Sequence, residues 1–422
     1  MAQLSSDSFA FGGKLRRLDD ALDDLAARLE AASAVETVPV ARALGRVSAA
    51  PLAARISVPA FDNSAVDGYA VRHADLVSGA VTRLPVMERI AAGRRDVPPI
   101  VPGTAIRIFT GAPMPAGADT VFMQEDVTLE GGDVLLPSGL AVGANRRFAG
   151  EDFHAGEVWL PAGERLRPHH LAACAATGLA ELPVRRPLRV AVFSTGNEVV
   201  EPLSGDEPPV LPPGAQFDAN RPMLLALLAN RGMEPVDLGI LPDNRAAIAR
   251  ALDGAAERCD AILTSGGVST GEEDHVKAAT EAVGRLDFWR LAIKPGRPIA
   301  MGTIRGRSFL GMPGNPAAVF VTFTRFVGPV LDMLQGARPC RPQPQQVSAG
   351  FGYRKKADRR EYVRVSLMTE GGGPVARRFP KDGAALISSL TQSNGFVELE
   401  EERVAVEPGE RVSYYPFAAL MA

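Results

Sequence analysis

From Leu188 onward the chain alternates short apolar strands with amphipathic helices, and no other feature constrains the fold as strongly. LRVAVFS precedes the helical pattern RPMLLALLANRG, PVDLGIL precedes RAAIARALDGAAERC, and AILTS precedes EDHVKAATEAVG. LDFWRLAI, PIAMG and SFLGM follow as strands, and a helix is predicted from about Pro316 to Leu334. Alternation of this kind builds a doubly wound, mainly parallel α/β sheet.

The flanking text is different. Leu15, Leu18, Leu22, Leu25 and Leu29 recur at steps of three and four, which makes one stripe of an amphipathic helix. That stripe packs either on its own chain or against a second copy, because two heptads are too few for a coiled coil. From about Ala50 to Gly150, stretches such as VTRLPVMERI, TAIRIFTGAP and TVFMQEDVTLEGGDVLL read as strands and hairpins, and EVWLPAGERL continues the pattern. Gly131-Gly132-Asp133 supports a tight hairpin, since glycine accepts the positive φ such turns require. After the α/β part, Ala337-Arg338-Pro339-Cys340-Arg341-Pro342-Gln343-Pro344 cannot continue a helix and reads as a linker. YVRVSLM, FVELEE and RVSYY then suggest a last β domain.

Length and composition exclude several classes. A chain of 422 residues is long enough for roughly two to four domains at about 150 residues each. Its 46 basic and 49 acidic residues leave a net charge of −3, so no broad field draws in nucleic acid, and an anionic ligand needs a local cluster. With 46% hydrophobic and 23% charged residues the chain is not disordered. Forty-two glycines and 34 prolines point to many shaped turns. Cys174, Cys259 and Cys340 are too widely spaced for a disulfide framework or a zinc motif, which fits a reducing compartment. The N-terminal residues lack an apolar core after the early basic patch, and no run of about 18 apolar residues occurs, so a cytoplasmic protein without membrane contact is expected.

In open α/β sheets ligands bind beyond the carboxyl ends of the strands, and the loops there are chemically rich. They read Ser194-Thr195-Gly196-Asn197-Glu198, Leu241-Pro242-Asp243-Asn244, Ser265 to Asp274, Lys294-Pro295-Gly296-Arg297-Pro298 and Gly311-Met312-Pro313-Gly314-Asn315-Pro316. Gly266, Gly267 and Gly271, with Ser265 and Ser269, let backbone N–H groups face an anion. Their spacing is neither a dinucleotide fingerprint nor a P-loop. Lys294 and Arg297, with Arg290 upstream, suit a phosphate or oxyanion; a solvated basic turn is the plainer alternative. Glu198, Asp243 and Asp274 follow different strands and suit Mg²⁺ beside a phosphate, helix capping being the competitor for Asp243 and Asp274. In the N-terminal half, PAFDNSAVDGYA concentrates Asp62, Asn63, Ser64, Asp67 and Tyr69 in one turn-rich segment. Asx turns alone also account for it.

Seven motifs in order, PAFDNSAVDGYAVR, IFTGAPMPAGADTVFMQED, RRFAGEDFHAGE, STGNEV, LTSGGVSTGEEDHV, AIKPGRPIAMG and MPGNPAAVF, resemble the molybdopterin molybdenumtransferase family of the MoeA and gephyrin E-domain type. The resemblance spans about residues 35–400. It implies insertion of molybdate into adenylated molybdopterin, Mg²⁺-dependent hydrolysis of the pyrophosphate link and release of AMP. It also implies Asp67, Thr110 and Asp152 as pocket residues acting from the other subunit of a homodimer, with Asp62 beside them. Pro313 and Pro316 would line the site with Gly314 and Asn315, and Arg360 or Arg364 with Ser388 or Ser389 would lie near molybdate. Catalysis would be mainly electrostatic, with Mg²⁺ on the carboxylates and the basic loop receiving charge on AMP.

The implied organisation is a helix in 1–34 returning to the α/β domain of 187–336, a β-rich region of 35–186 with 48–149 inserted, and a barrel-like β domain in 337–422. Arg290 and Arg297 stand where the family often has lysine, and Asn197 where it often has aspartate. The adenylyltransferase of the preceding step and apo-molybdoenzymes are implied partners. Two other functions remain open: the adenylyltransferase reaction itself, and a gephyrin-like scaffold that binds partner peptides.

Overall fold

The computed structural model describes residues 15–202, 210–267, 275–296 and 298–421. Its central element is a six-stranded sheet in the spatial order Glu234–Leu241, Arg189–Thr195, Ala261–Ser265, Arg307–Met312, Pro298–Ile304, Gly284–Arg290. The first four strands are parallel, Pro298–Ile304 runs antiparallel to them, and Gly284–Arg290 pairs antiparallel with it at the edge. The mixed edge has a local cause. Pro298–Ile304 and Arg307–Met312 are joined by Arg305 and Gly306, both at positive φ, which makes a hairpin where a crossover helix would otherwise be needed.

The apolar run LDFWRLAI is divided between two sheets. Gly284–Arg290 forms the edge of the α/β sheet, and Ile293–Lys294 pairs in parallel with Arg360–Glu370 of the C-terminal region. That second pairing stitches the basic loop to another part of the chain.

The C-terminal strands Gln345–Ala349, Arg360–Glu370, Gly373–Arg378, Gly395–Leu399 and Arg411–Pro416 close on themselves through pairing of Arg360–Glu370 with Gly395–Leu399. Closure leaves this five-stranded barrel without a free edge. Alternate residues Val363, Val365 and Leu367 fill it, whereas Tyr362 and Phe396 face outward onto the α/β domain.

Helix Pro316–Thr322, a π turn at Phe323–Val327 and helix Gly328–Leu334 form one apolar rod, started by a proline at the first helical position. The rod is long and apolar enough to span a membrane, yet it is mostly buried and acts as the core helix of this domain. Phe320 meets Phe396 and Phe417 edge to face at 5.9 and 5.1 Å, and Arg325 pairs with Glu398 at 2.8 Å. These contacts seat the barrel on the sheet's helical layer.

Helix Leu18–Ala26 buries Leu18, Ala21, Leu22 and Leu25 in the same core, so the leucine stripe docks on its own chain. In the N-terminal half, Val35–Pro39 and Val47–Ser48 both pair with Glu181–Arg185, and Leu52–Ala53 pairs with Val158–Leu160. A six-stranded sheet lies between them in sequence, built from strands within Gly68–Leu136. Its Thr128–Glu130 and Asp133–Leu136 hairpin turns through Gly131 and Gly132 at φ 58° and 95°.

Candidate functional site

A cavity of about 920 Å³ opens between the carboxyl ends of the parallel strands and the outer wall of the barrel. Register places it there. Ser194 is level with Ser265, and Ser265 with Met312, so the following loops leave the sheet along one line. Gly266 and Gly267 lie on this wall at φ 89° and 64°. A Cβ on Gly267 would come within 2.4 Å of Val276 Cγ2, so glycine is required twice over. Gly296 presses on the core helix, where a Cβ would meet Thr322 Oγ1 at 2.3 Å. The Pro313-Gly314-Asn315 turn is tied down by Asn220, whose side-chain amide donates to the Gly314 carbonyl at 2.6 Å.

The barrel supplies the opposite wall. Lys294 and Glu361 are register partners, and Lys294 Nζ donates to Glu361 Oε2 at 3.1 Å. The Tyr353 hydroxyl donates to the same oxygen at 2.7 Å, and Arg359 Nε donates to Oε1 at 2.6 Å. Arg364 lines the cavity and donates to the Gly383 carbonyl at 3.1 Å. Burial pulls its pKa down, yet a guanidinium stays charged throughout the accessible range. Arg378 stacks on Tyr353 at 4.8 Å and pairs with Asp382, which holds that carboxyl below its ordinary range. With Lys356 and Lys381 the lining has, among the described residues, six cationic side chains against the carboxylates of Glu361 and Asp382. Such a wall suits a polyanion of nucleotide size.

Of the residues singled out in sequence, Gly266, Gly267, Lys294, Pro313, Gly314, Asn315 and Arg364 line this cavity. Ser265 ends its strand in the buried layer beneath them, and Pro316 starts the core helix beside Asn315. Ser269, Gly271, Asp274 and Arg297 lie outside the described residues. Arg290 ends the edge strand and is not on the cavity wall. Arg360 is buried in ion pairs with Asp19 at 2.7 Å, Glu401 at 3.1 Å and Glu398 at 3.4 Å, which gives it a structural role on the barrel's outer face. Ser388 and Ser389 open the short helix Ser388–Thr391, where the Ser389 hydroxyl donates to Leu386 O at 2.6 Å; neither lines the cavity.

Glu198 and Asp243 follow Thr195 and Leu241, which are register partners, so both carboxylates leave the sheet at the same end. Asp243 does not cap the next helix. Asn244 does so, accepting from the Ala246 and Ala247 N–H groups at 3.0 and 3.1 Å. Asp243 lines a second, smaller pocket with Asn244 and His275, and neither it nor Glu198 lines the main cavity. Among the described residues no three His, Cys, Asp or Glu side chains converge as metal ligands.

The N-terminal residues form a separate cluster. Asp62 pairs with Arg146 and accepts from the Ala149 N–H at 2.8 Å; that N–H and Arg146 lower its pKa. Asp67 accepts from both the backbone N–H and the hydroxyl of Thr110. Asp152 sits nearby, its N–H bonded to Val58 O at 3.0 Å. None of the four lines the cavity of its own chain.

Sequence reasoning missed Tyr353, Lys356, Arg359, Glu361, Arg378, Lys381 and Asp382. Their signal is the dense basic text YRKKADRREY and RRFPKD, which on a β domain also describes an ordinary solvated face.

An α/β sheet with a polyanion-sized cavity at its strand ends, closed by a barrel, defines a nucleotide- or cofactor-handling class of protein. Three family descriptions match successive parts of the chain: the MoeA N-terminal region (domain I and II) over residues 16–178, a probable molybdopterin binding domain over 191–333, and the MoeA C-terminal region (domain IV) over 346–417. Molybdopterin molybdenumtransferase of Haemophilus influenzae is 38% identical over 410 residues, covering 96% of this chain and 99% of that one. The enzyme of the same name from a Nostoc species is 34% identical over 401 residues, covering 92% and 90%. Among solved structures, a molybdopterin biosynthesis MoeA protein from Pyrococcus horikoshii superposes with a TM-score of 0.80 at 31% identity, covering 95% of this chain and 100% of that one. The chain belongs to the MoeA family of molybdopterin molybdenumtransferases.

Proposed function

We propose that this chain inserts molybdate into adenylated molybdopterin, with hydrolysis of the pyrophosphate link and release of AMP, as a cytoplasmic homodimer. The observation that carries the reading is the cationic cavity at the strand ends of a chain that aligns along almost its whole length with molybdopterin molybdenumtransferases. Adenylated molybdopterin is a nucleotide-sized polyanion, and molybdate is an oxyanion. Both match that lining.

The roles follow from placement. The Gly267 backbone N–H is the donor toward phosphate, since the Gly266 N–H is taken by the Met312 carbonyl at 3.0 Å, and the Pro313-Gly314-Asn315 turn shapes the adjoining wall. Lys294 receives charge that develops on the leaving AMP, as a fixed donor in a partly dehydrated site. Arg364, with its planar fork, holds an oxyanion on the barrel side. Glu198 and Asp243, joined by Asp274 from outside the described residues, would hold Mg²⁺, which supplies charge neutralisation at the pyrophosphate. Asp67, Thr110 and Asp152 would complete the cavity of the partner subunit, since they lie away from the cavity of their own chain.

AMP release from adenylated molybdopterin by the purified protein, with Mg²⁺ and with molybdate added or omitted, tests this reading. Molybdate-dependent release, yielding a product that reconstitutes an apo-molybdoenzyme, is expected. No release in either case would overturn the reading, and formation of adenylated molybdopterin from ATP would assign the preceding step instead.

A further inference from the structure

Glu361 is an anomaly in this cavity. Asp382, the other described acid of this cationic wall, is largely exposed, whereas the Glu361 side chain is only 2% exposed. A buried carboxylate is costly unless its oxygens are fully bonded, and here both are. Arg359 takes Oε1 through Nε at 2.6 Å and the guanidinium terminus at 2.5 Å. Oε2 accepts from the Tyr353 hydroxyl at 2.7 Å and from Lys294 Nζ at 3.1 Å.

Arg359 already balances the Glu361 charge, so the positive charge of Lys294 is left over for a ligand. An ammonium has three donors. One reaches Glu361, and Tyr353 lies at 3.5 Å from Nζ, so at least one N–H is left for the cavity, onto which the half-exposed lysine opens. Burial and the neighbouring carboxylate push the Tyr353 hydroxyl well above its ordinary range, so it keeps its proton and goes on donating to Glu361. The backbones are fixed as well, because Lys294 and Glu361 are paired residues on strands of two different domains. A flexible four-carbon stem is thereby held in one place from two sides.

We propose that Glu361 is a positioning residue for the insertion reaction, fixing the Lys294 ammonium so that it meets the substrate's developing oxyanion in one orientation. The proposal rests on the reading of Lys294 as a substrate-facing cation. Glu361 itself touches no reacting atom. It gives up some ground-state attraction for the anion in return for a donor already in place when charge develops.

The test is steady-state AMP release by the full-length protein across concentrations of adenylated molybdopterin, at saturating molybdate and Mg²⁺. Glu361→Gln is expected to lower kcat about tenfold, as misplacement of a charge-stabilising donor does, with KM unchanged or lower because the wall loses a negative charge. In a Lys294→Ala background the same substitution is expected to add less than about twofold, because the two act as a unit. Raised KM with unchanged kcat, or full additivity with Lys294→Ala, would overturn the proposal. Tyr353→Phe removes one of the bonds without removing a charge; it decides the matter if thermal melting shows Glu361→Gln to be misfolded. A lower kcat at unchanged KM then supports positioning, and unchanged kcat overturns it. An undiminished kcat/KM in Lys294→Ala would overturn the underlying reading of the cavity. A loss there with Glu361→Gln silent would overturn only the positioning role.

Discussion

Asp67 Oδ1 accepts both the backbone N–H and the hydroxyl of Thr110, each at 2.8 Å, and so clamps the start of one strand to the loop that leaves its neighbour. These two bonds favour the ionised form, the backbone bond most, and lower the Asp67 pKa. Because the folded value lies below the unfolded one, the stability the clamp contributes is present above the ordinary aspartate range. It is lost as pH falls through the folded value, below about pH 4. Carboxyl NMR titration is expected to show the Asp67 midpoint rising toward its ordinary value in Thr110→Ala. An unchanged midpoint would mean that the hydroxyl bond is not maintained in solution.

The two arginines on the outer face of the same barrel strand are expected to separate by phenotype. Arg364→Ala removes a donor from the cavity wall and is expected to lower kcat/KM by roughly 10- to 100-fold with little change in stability, the range for a charge-assisted hydrogen bond. Arg360→Ala leaves Glu401 buried without its partner and takes one of two arginines from Glu398, and it is expected to destabilise folding by about 3–5 kcal/mol. Urea unfolding and steady-state kinetics on both variants check the separation, and a reversed pattern would exchange the two assignments.

Gly296→Ala is expected to damage the site sterically, because φ is +112° and the new methyl group would meet Thr322 Oγ1 at 2.3 Å. A control is available at Gly306, also at positive φ (+77°) but with nothing within 4 Å of a Cβ. Melting temperature and AMP release should both fall in Gly296→Ala. In Gly306→Ala the cost should be only the backbone strain of about 1 kcal/mol, without specific loss of turnover.

Chelation of divalent cations is expected to abolish AMP release reversibly on readdition of Mg²⁺. Glu198→Gln and Asp243→Asn are each expected to raise the Mg²⁺ concentration needed for half-maximal activity, since each removes one hard donor. If neither substitution moves that concentration, the cation is held elsewhere.

Mixing tests the shared site. Asp67→Asn and Lys294→Ala, each strongly impaired but measurable alone, are expected to recover about a quarter of wild-type activity when their dimers are exchanged, because half the dimers then carry one intact site of two. Recovery of nothing, with exchange confirmed by mass, would confine the site to a single chain.

Periodicity and turn chemistry, which are local properties, were enough for most of this fold. AILTS is the strand Ala261–Ser265, RAAIARALDGAAERC contains the helix Arg245–Arg258, and the Gly131-Gly132 hairpin turns where positive φ demands it. The loops bearing Gly266, Lys294 and Pro313 were legible because strand ends in an open α/β sheet converge on one edge. Tertiary structure alone decided how LDFWRLAI divides between two sheets, since Ile293–Lys294 finds its partner in the barrel and not beside its own strand. It also decided that Arg364 lines the cavity while Arg360, four residues earlier on that strand, is buried among acids. Both arginines look alike in sequence. Their roles depend on which domain's surface lies opposite, and packing between distant segments has no periodicity to announce it.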